Sequence, residues 1–114
     1  MKRILPLTAL ALLAAPSAMA QGQPEAPLTR WAFVSIDGEK PRSPKAELSI
    51  YRERISATVG CNHLAGRLEV VPGRLKVRQL AATQMYCENL ARQESAVAAL
   101  LNASPAFFIE GDRM

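Results

Sequence analysis

Apolar and polar residues alternate through the middle of the chain, and this alternation constrains the fold more than any other feature. In the run AELSIY (46–51), Leu48 and Ile50 lie on one face of an extended chain, and their polar neighbours lie on the other. The same period continues in RISATVG (54–60), RLEVV (67–71) and RLKVRQL (74–80). Short connections, one of them Pro72–Gly73, join these runs in pairs. The pattern predicts two antiparallel hairpins.

Later in the chain the period lengthens. Leu90, Val97 and Leu101 recur near the helical period, which predicts one amphipathic helix over roughly 89–102, ended by Pro105. Glu94 falls inside this apolar stripe, and we expect its carboxylate at the rim of the core, accepting a hydrogen bond from water or from the backbone.

Two further apolar runs flank these elements. TRWAFVSI (29–36) predicts a well-buried first strand, and AFFIEGD (106–112) predicts a last strand and turn. Five or six antiparallel strands with one late helix define an α+β domain, in which the sheet buries an apolar face on that helix or on itself.

The N-terminus has the three-part pattern of a secretory signal peptide. Lys2 and Arg3 precede an apolar run, and residues 18–20 form an A-x-A site, so we expect residues 1–20 to be removed after Ala20. We therefore expect a periplasmic or secreted protein. The remaining 94 residues are enough for one small domain, preceded by a polar, proline-rich lead-in over 21–28 that we expect to be disordered. The apolar run of the leader is too short to span a bilayer, so we interpret the leader as a cleaved signal and not as a retained anchor. We expect no transmembrane segment in the mature chain.

The charge of the exported chain is small. Loss of Lys2 and Arg3 lowers the Lys+Arg count from 14 to 12 against 10 acidic residues, which leaves a net charge of +2. So small a charge, on an exported chain, argues against nucleic acid as a partner.

The two cysteines allow several interpretations. Cys61 lies two residues from His63, the chain's single histidine, and in an uninterrupted strand both would point inward with Val59, while Asn62 and Leu64 would point outward. Glycines at 60 and 66 interrupt the pattern, and a bulge or bend there could reset it. A Cys–His nucleophile needs a third orienting group, and none is apparent. Because an exported chain meets an oxidising compartment, a disulfide to Cys87 is favoured over the dyad and over two free buried thiols.

Other chemical sites are weakly indicated. Two cysteines and one histidine are too few for a structural zinc site, so we expect neither a metal nor another cofactor. Trp31 and Phe33 could line a ligand groove, although core positions are the commoner role of such residues. A set of basic residues could form a patch for anionic lipid or an acidic partner, although a solvated sheet face is favoured: Arg52, Arg54, Arg67, Arg74, Lys76 and Arg78.

Four segments in order resemble the META domain family, HslJ-like proteins of the bacterial envelope and heat-shock response. GCNHLAG (60–66) resembles the GCN-x-x-x-G signature, and TQMYC (83–87) resembles the T-x-M-x-C segment. WAFVSIDGEK (31–40) and the stretch from Glu94 through FFIEGD resemble the family's opening strand, helix and closing stretch. The signature residues carried over are Gly60, Cys61, Asn62, Gly66, Thr83, Met85 and Cys87.

The resemblance implies a single META-like domain over 29–114, similar to a cracked barrel packed on one helix. It implies a non-enzymatic binding or structural role in envelope stress tolerance, and it supplies no catalytic residues. A second hypothesis is a lipocalin-like carrier of a small apolar ligand or lipid, and a third, less favoured, is a Cys–His enzyme.

One departure from the family pattern concerns the C-terminus. Family members usually continue past the G-D segment with one or two more strands, whereas this sequence stops at Met114. One hypothesis is a domain that lacks its last strands and has an open sheet edge, available for strand pairing with another copy or with an envelope protein. The alternative is a shortened or misannotated reading frame.

Overall fold

The structure, a computed structural model, describes residues 25–114. The expected signal peptide and the first four residues of the lead-in lie outside this range. The described elements are β1 (Thr29–Ala32), β2 (Glu47–Ile50), β3 (Arg54–Thr58), β4 (His63–Val71), β5 (Arg74–Ala82) and α1 (Ala91–Asn102).

The five described strands form one antiparallel sheet in chain order, from β1 at one side to β5 at the other. The sheet is open, not closed into a barrel, and α1 is the helix that packs against it. This confirms the predicted α+β class and both hairpins. Pro72 and Gly73 form the tight β4–β5 turn, in which Gly73 has a φ of 75°, a value that glycine adopts without steric cost.

The core lies between the inner face of the sheet and α1. Four side chains of this core are almost wholly buried: Ile55, Val59, Val97 and Leu101. The first two come from β3 and the connection after it, and the last two come from the helix. The alternation and the helical stripe read from the sequence therefore meet in one apolar layer.

The helix begins two residues later than predicted. The amides of Leu90 and Ala91 both donate to the carbonyl of Cys87 at 3.0 Å, so residues 88–90 form a turn that leads into the helix. The end at Asn102 agrees with the prediction.

The predicted last strand over 106–112 is wrong. Ala106 forms an isolated bridge with Arg74, and Glu110 forms another with Arg113. Pro105 has no amide hydrogen to extend a ladder along β5, and the turn at 110–113 folds the chain back on itself. The segment 104–107 therefore covers only the first half of β5.

Candidate functional site

The cysteine pair joins two distant parts of the chain. Cys61, in the β3–β4 connection, is disulfide-bonded to Cys87, in the segment that leads into α1, and their Cα atoms lie 6.1 Å apart. The predicted disulfide is thus present. It closes a loop of 26 residue steps across the region that carries the signature residues.

Residues 61–64 do not continue an uninterrupted strand from Val59, so the faces expected for such a strand do not apply. Asn62 and Leu64 are buried, whereas His63 is exposed. The cause is Gly60, whose φ of 112° turns the chain and resets the alternation after Val59. His63 therefore does not share a buried face with the disulfide.

Asn62 is the centre of the region. Its side-chain nitrogen Nδ2 donates to the carbonyl of Met85 at 2.7 Å and to Oε2 of Glu94 at 2.9 Å. Its Oδ1 accepts from Thr83 Oγ1 at 2.9 Å and from the Met85 amide at 2.7 Å. With 3% exposure, the side chain uses both of its donors and both acceptor positions in the interior. A single buried residue therefore joins β4, the 83–85 segment and α1.

Thr83 and Met85 contribute to this network in different ways. The Thr83 hydroxyl donates to Asn62 and accepts from the His63 amide at 3.0 Å, so it extends the β4–β5 pairing beyond Ala82. Met85 takes part through its main chain alone, and its side chain is 61% exposed.

Two polar side chains of α1 hold loops onto the helix. Oε1 of Glu94 accepts from the Asn62 amide at 3.1 Å, the type of backbone bond that the sequence predicted. Gln93, which the sequence reading missed, is buried and accepts from the Arg42 amide at 2.9 Å while donating to the Lys40 carbonyl at 2.7 Å. Its spacing of four residues from Val97 was the available signal.

The two signature glycines allow close approaches of the backbone. A Cβ on Gly60 would lie 2.5 Å from Oγ and 2.6 Å from Cβ of Ser43. A Cβ on Gly66 would lie 3.0 Å from the Arg78 carbonyl oxygen, at the bulge where β5 carries one extra residue relative to β4. Gly60 therefore has no room for a side chain unless Ser43 moves, and a side chain at Gly66 would need a small shift of the β5 backbone.

The chemistry available in this region is limited. The sulfur of Cys61 is bonded to Cys87, so it is not a thiol beside His63. In the described residues, no group of three or more His, Cys, Asp and Glu side chains is arranged to hold a metal ion. Within 25–114 there is also no helix with the length and apolar character needed to cross a bilayer.

Trp31 and Phe33 lie elsewhere, on and beside β1. They line a cavity of about 280 Å³ that opens to the surface and is bounded on its other side by Asp112, Arg113 and Met114. Both residues also pack on the edge of the core. The cavity lies at the sheet edge, outside the filled apolar layer.

The expected basic residues are brought together by strand register. Arg54 pairs with Arg67, and Arg67 pairs with Arg78, so three arginines form one row on the outer face of β3, β4 and β5. Lys76 continues the same face of β5 toward the hairpin turn, whereas the Arg74 guanidinium donates to the Ser104 carbonyl at 2.6 Å. Arg52 lies in the β2–β3 connection, outside this row.

Comparison with known proteins agrees with this architecture. The sequence profile of the META domain matches residues 25–114, which is most of the chain. This chain belongs to the META domain family. The arrangement described above, with Asn62 bonded to Thr83, Met85 and Glu94, is therefore the form that the family signature takes in this META domain.

An NMR structure of another protein is similar to this META domain. The two share 24% identity with a TM-score of 0.60, over 72% of this chain and 74% of that one, which shows a common fold. No curated protein matches the chain significantly.

Proposed function

We propose that this META domain acts in the bacterial envelope after export, as a non-enzymatic binding protein with a role in stress tolerance. The observation that carries the proposal is that the signature residues are used to hold the fold. Asn62 has all its hydrogen-bonding positions filled from within, and Cys61 is in a disulfide. The leader-like residues 1–20 and the disulfide both favour an oxidising compartment.

Fractionation tests the export step. Expressed with residues 1–20, the protein should appear in the periplasm with those residues missing, and iodoacetamide should label neither cysteine until a reductant is added. A chain that starts at Gln21 and stays in the cytoplasm is the control, and both of its thiols should be labelled. An unprocessed cytoplasmic product with free thiols from the leader-containing gene would contradict export.

The binding surface that we propose is the open side of β1. Phe33 donates to the Ala46 carbonyl at 3.2 Å, and Trp31 lies opposite Leu48 in β2. Because hydrogen-bonding directions alternate along an antiparallel strand, the main-chain groups of Arg30 and Ala32 point away from β2. No described strand pairs with them there. Such an edge is a template for another strand.

A second copy of this chain fits that edge in one register. A two-fold axis at Trp31 places Arg30 of each copy opposite Ala32 of the other, so that the outward main-chain groups meet. Val34, just past the end of β1, adds exposed apolar surface beside this pairing, whereas the Leu28 amide is already bonded to the Ile50 carbonyl of β2 at 2.8 Å. A register with Arg30 opposite itself would bring like charges together, which is unfavourable.

The variant Ala32→Pro tests this pairing. Proline removes an amide hydrogen that points to the open side, so the monomer should keep its fold, whereas the edge should lose its capacity to pair. Sedimentation should show a concentration-dependent dimer for the wild type and for the control Ala32→Ser, which keeps the amide. It should show a monomer for Ala32→Pro. A wild-type protein that remains monomeric at tens of micromolar would rule out self-pairing at this edge.

A carrier of small apolar ligands is the second candidate, because Trp31 and Phe33 line the cavity beside β1. Its volume of about 280 Å³ is at the lower limit for ligand pockets. Trp31 is the only tryptophan of the chain, so its fluorescence reports on the cavity directly. Saturable change on titration with a medium-chain fatty acid, lost in Phe33→Ala, would favour the carrier. No change would leave strand pairing as the binding mode.

A further inference from the structure

An exposed apolar group lies at the turn of the β4–β5 hairpin. The amide of Phe107 donates to the Gly73 carbonyl at 3.0 Å, so the segment after α1 meets the hairpin at its turn. Phe108, the next residue, is 76% exposed, and Ile109 is also exposed. Pro72 adds exposed apolar surface at the hairpin turn itself. We call Pro72, Phe108 and Ile109 the apolar tip.

The outer face of the same hairpin is basic. We define the basic face by four residues, Arg54, Arg67, Lys76 and Arg78; the guanidinium of Arg74 instead donates to the Ser104 carbonyl at 2.6 Å. Directly opposed like charges on neighbouring strands destabilise a sheet, so the row of Arg54, Arg67 and Arg78 is not explained by folding stability.

Carboxylates neutralise this face only in part. Glu69 lies 3.6 Å from Arg78, and Glu25 lies 3.7 Å from Arg54, which also stacks on Tyr51. Glu53 borders the shallow depression between Arg54 and Arg67. Among the described residues, no carboxylate lies within 4 Å of the Arg67 guanidinium. The face therefore keeps an excess of positive charge around Arg67.

We infer that the β4–β5 hairpin docks on an anionic lipid surface, with the basic face against the phosphate groups and the apolar tip in the interfacial zone. Basic residues combined with exposed aromatic and aliphatic side chains are the composition of surfaces that lie in a membrane interface. The arginine row is open and nearly flat, which suits an extended layer of phosphates better than one small anion held in a pocket. This inference is independent of pairing at β1.

Vesicle flotation tests the inference. The protein should start at Gln21, because the leader would itself bind lipid and the described core and disulfide lie within 25–114. We expect it to float with vesicles of 30% phosphatidylglycerol in phosphatidylcholine at low salt, and not with phosphatidylcholine alone. Partitioning should weaken strongly between 50 and 500 mM NaCl. Failure to float with the anionic vesicles would overturn the inference.

Variants that remove equal charge from different surfaces distinguish binding through the basic face from an effect of the net charge of the protein. The triple variant Arg67→Gln, Lys76→Gln, Arg78→Gln should lower partitioning about 100-fold, at roughly fivefold per basic residue. The control Lys40→Gln, Arg42→Gln, Lys45→Gln removes the same charge from the exposed loop that Gln93 holds on the helix side, opposite the basic face. It should lower partitioning far less. Equal losses in the two variants would show an effect of net charge alone and would overturn the assigned face.

The contribution of the apolar tip is measured with a variant that leaves the charge of the protein unchanged. The variant Phe108→Ser, Ile109→Ser keeps every charge, and it should lower partitioning about 10-fold or more while leaving the salt dependence unchanged. On the wild type, amide chemical shifts at 67–78 and 107–109 should move when phosphatidylglycerol bicelles are added, whatever the stability of the variants. Shifts confined to other residues would contradict docking through this hairpin.

Discussion

The signature region around Asn62 and the open side of β1 differ in whether their polar groups are bonded within the fold. Around Asn62 the described polar side chains are bonded to one another, and a disulfide closes the region. At β1 the main-chain groups of Arg30 and Ala32 point outward, next to the exposed Val34. The comparison teaches that the residues which identify the family stabilise this fold, whereas surfaces free to bind lie elsewhere.

Removal of the disulfide should give the largest effect. In the chain-entropy model, Cys61→Ala with Cys87→Ala should lower the free energy of unfolding by about 3–4 kcal/mol, because the closed loop spans 26 residue steps. Urea unfolding of the oxidised wild type and of the variant measures the difference. If the two unfold together, the disulfide does not stabilise the closed region.

Asn62→Ala should come next. It removes four side-chain hydrogen bonds and leaves groups of Met85 and Glu94 unpaired in a half-buried setting, so we expect a loss of about 2–3 kcal/mol. The adjacent, exposed His63→Ala is the control and should change stability by less than about 0.5 kcal/mol. Comparable losses in the two variants would contradict the central role of Asn62.

Gly60→Ala tests the turn that buries Asn62. A left-handed φ and a contact of 2.6 Å with Cβ of Ser43 should together cost about 2–3 kcal/mol. Gly38 also has a positive φ, but a Cβ there meets nothing within 4 Å, so Gly38→Ala should cost about 1 kcal/mol. Thermal unfolding of both variants separates the cost of steric crowding at Ser43 from the cost of the left-handed backbone. Equal losses of stability would show that the Ser43 side chain moves aside without cost.

Val34→Ser should have the smallest effect on folding. It tests whether the β1 edge contributes to binding without contributing to the stability of the monomer. The side chain is 71% exposed, so the free energy of unfolding of the monomer should change by less than about 0.5 kcal/mol. Dimer formation should weaken about fivefold, because exposed apolar surface next to the paired strands is lost. Analytical ultracentrifugation gives the dimer constant, and an unchanged constant would move the interface away from this register.

Several features could be read from the sequence because they depend on local periodicity. The alternation around Leu48 and Ile50 is a property of extended chains, and the stripe of Leu90, Val97 and Leu101 is a property of helices. The Pro72–Gly73 turn could be predicted because its conformation is set by these two adjacent residues. The Cys61–Cys87 disulfide depends on there being only two cysteines, once export is assumed.

Other features depended on where distant residues meet. A single positive φ at Gly60 exchanged the faces of Asn62 and His63, and no alternation pattern encodes that turn. The apolar run 106–112 has the composition of a strand, yet it lacks a continuous neighbour along β5. Burial of Gln93 depended on the Lys40 and Arg42 main chain lying against the helix.

The sequence by itself determined the class of this protein, the two hairpins followed by a helix, and the family to which it belongs, because these follow from short-range patterns. Only the tertiary structure decided that Asn62 is a fully bonded centre and that Arg54, Arg67 and Arg78 form one row. The physical reason is register: which residues face one another across strands is set by turns and bulges, and a shift of one position reverses every side chain.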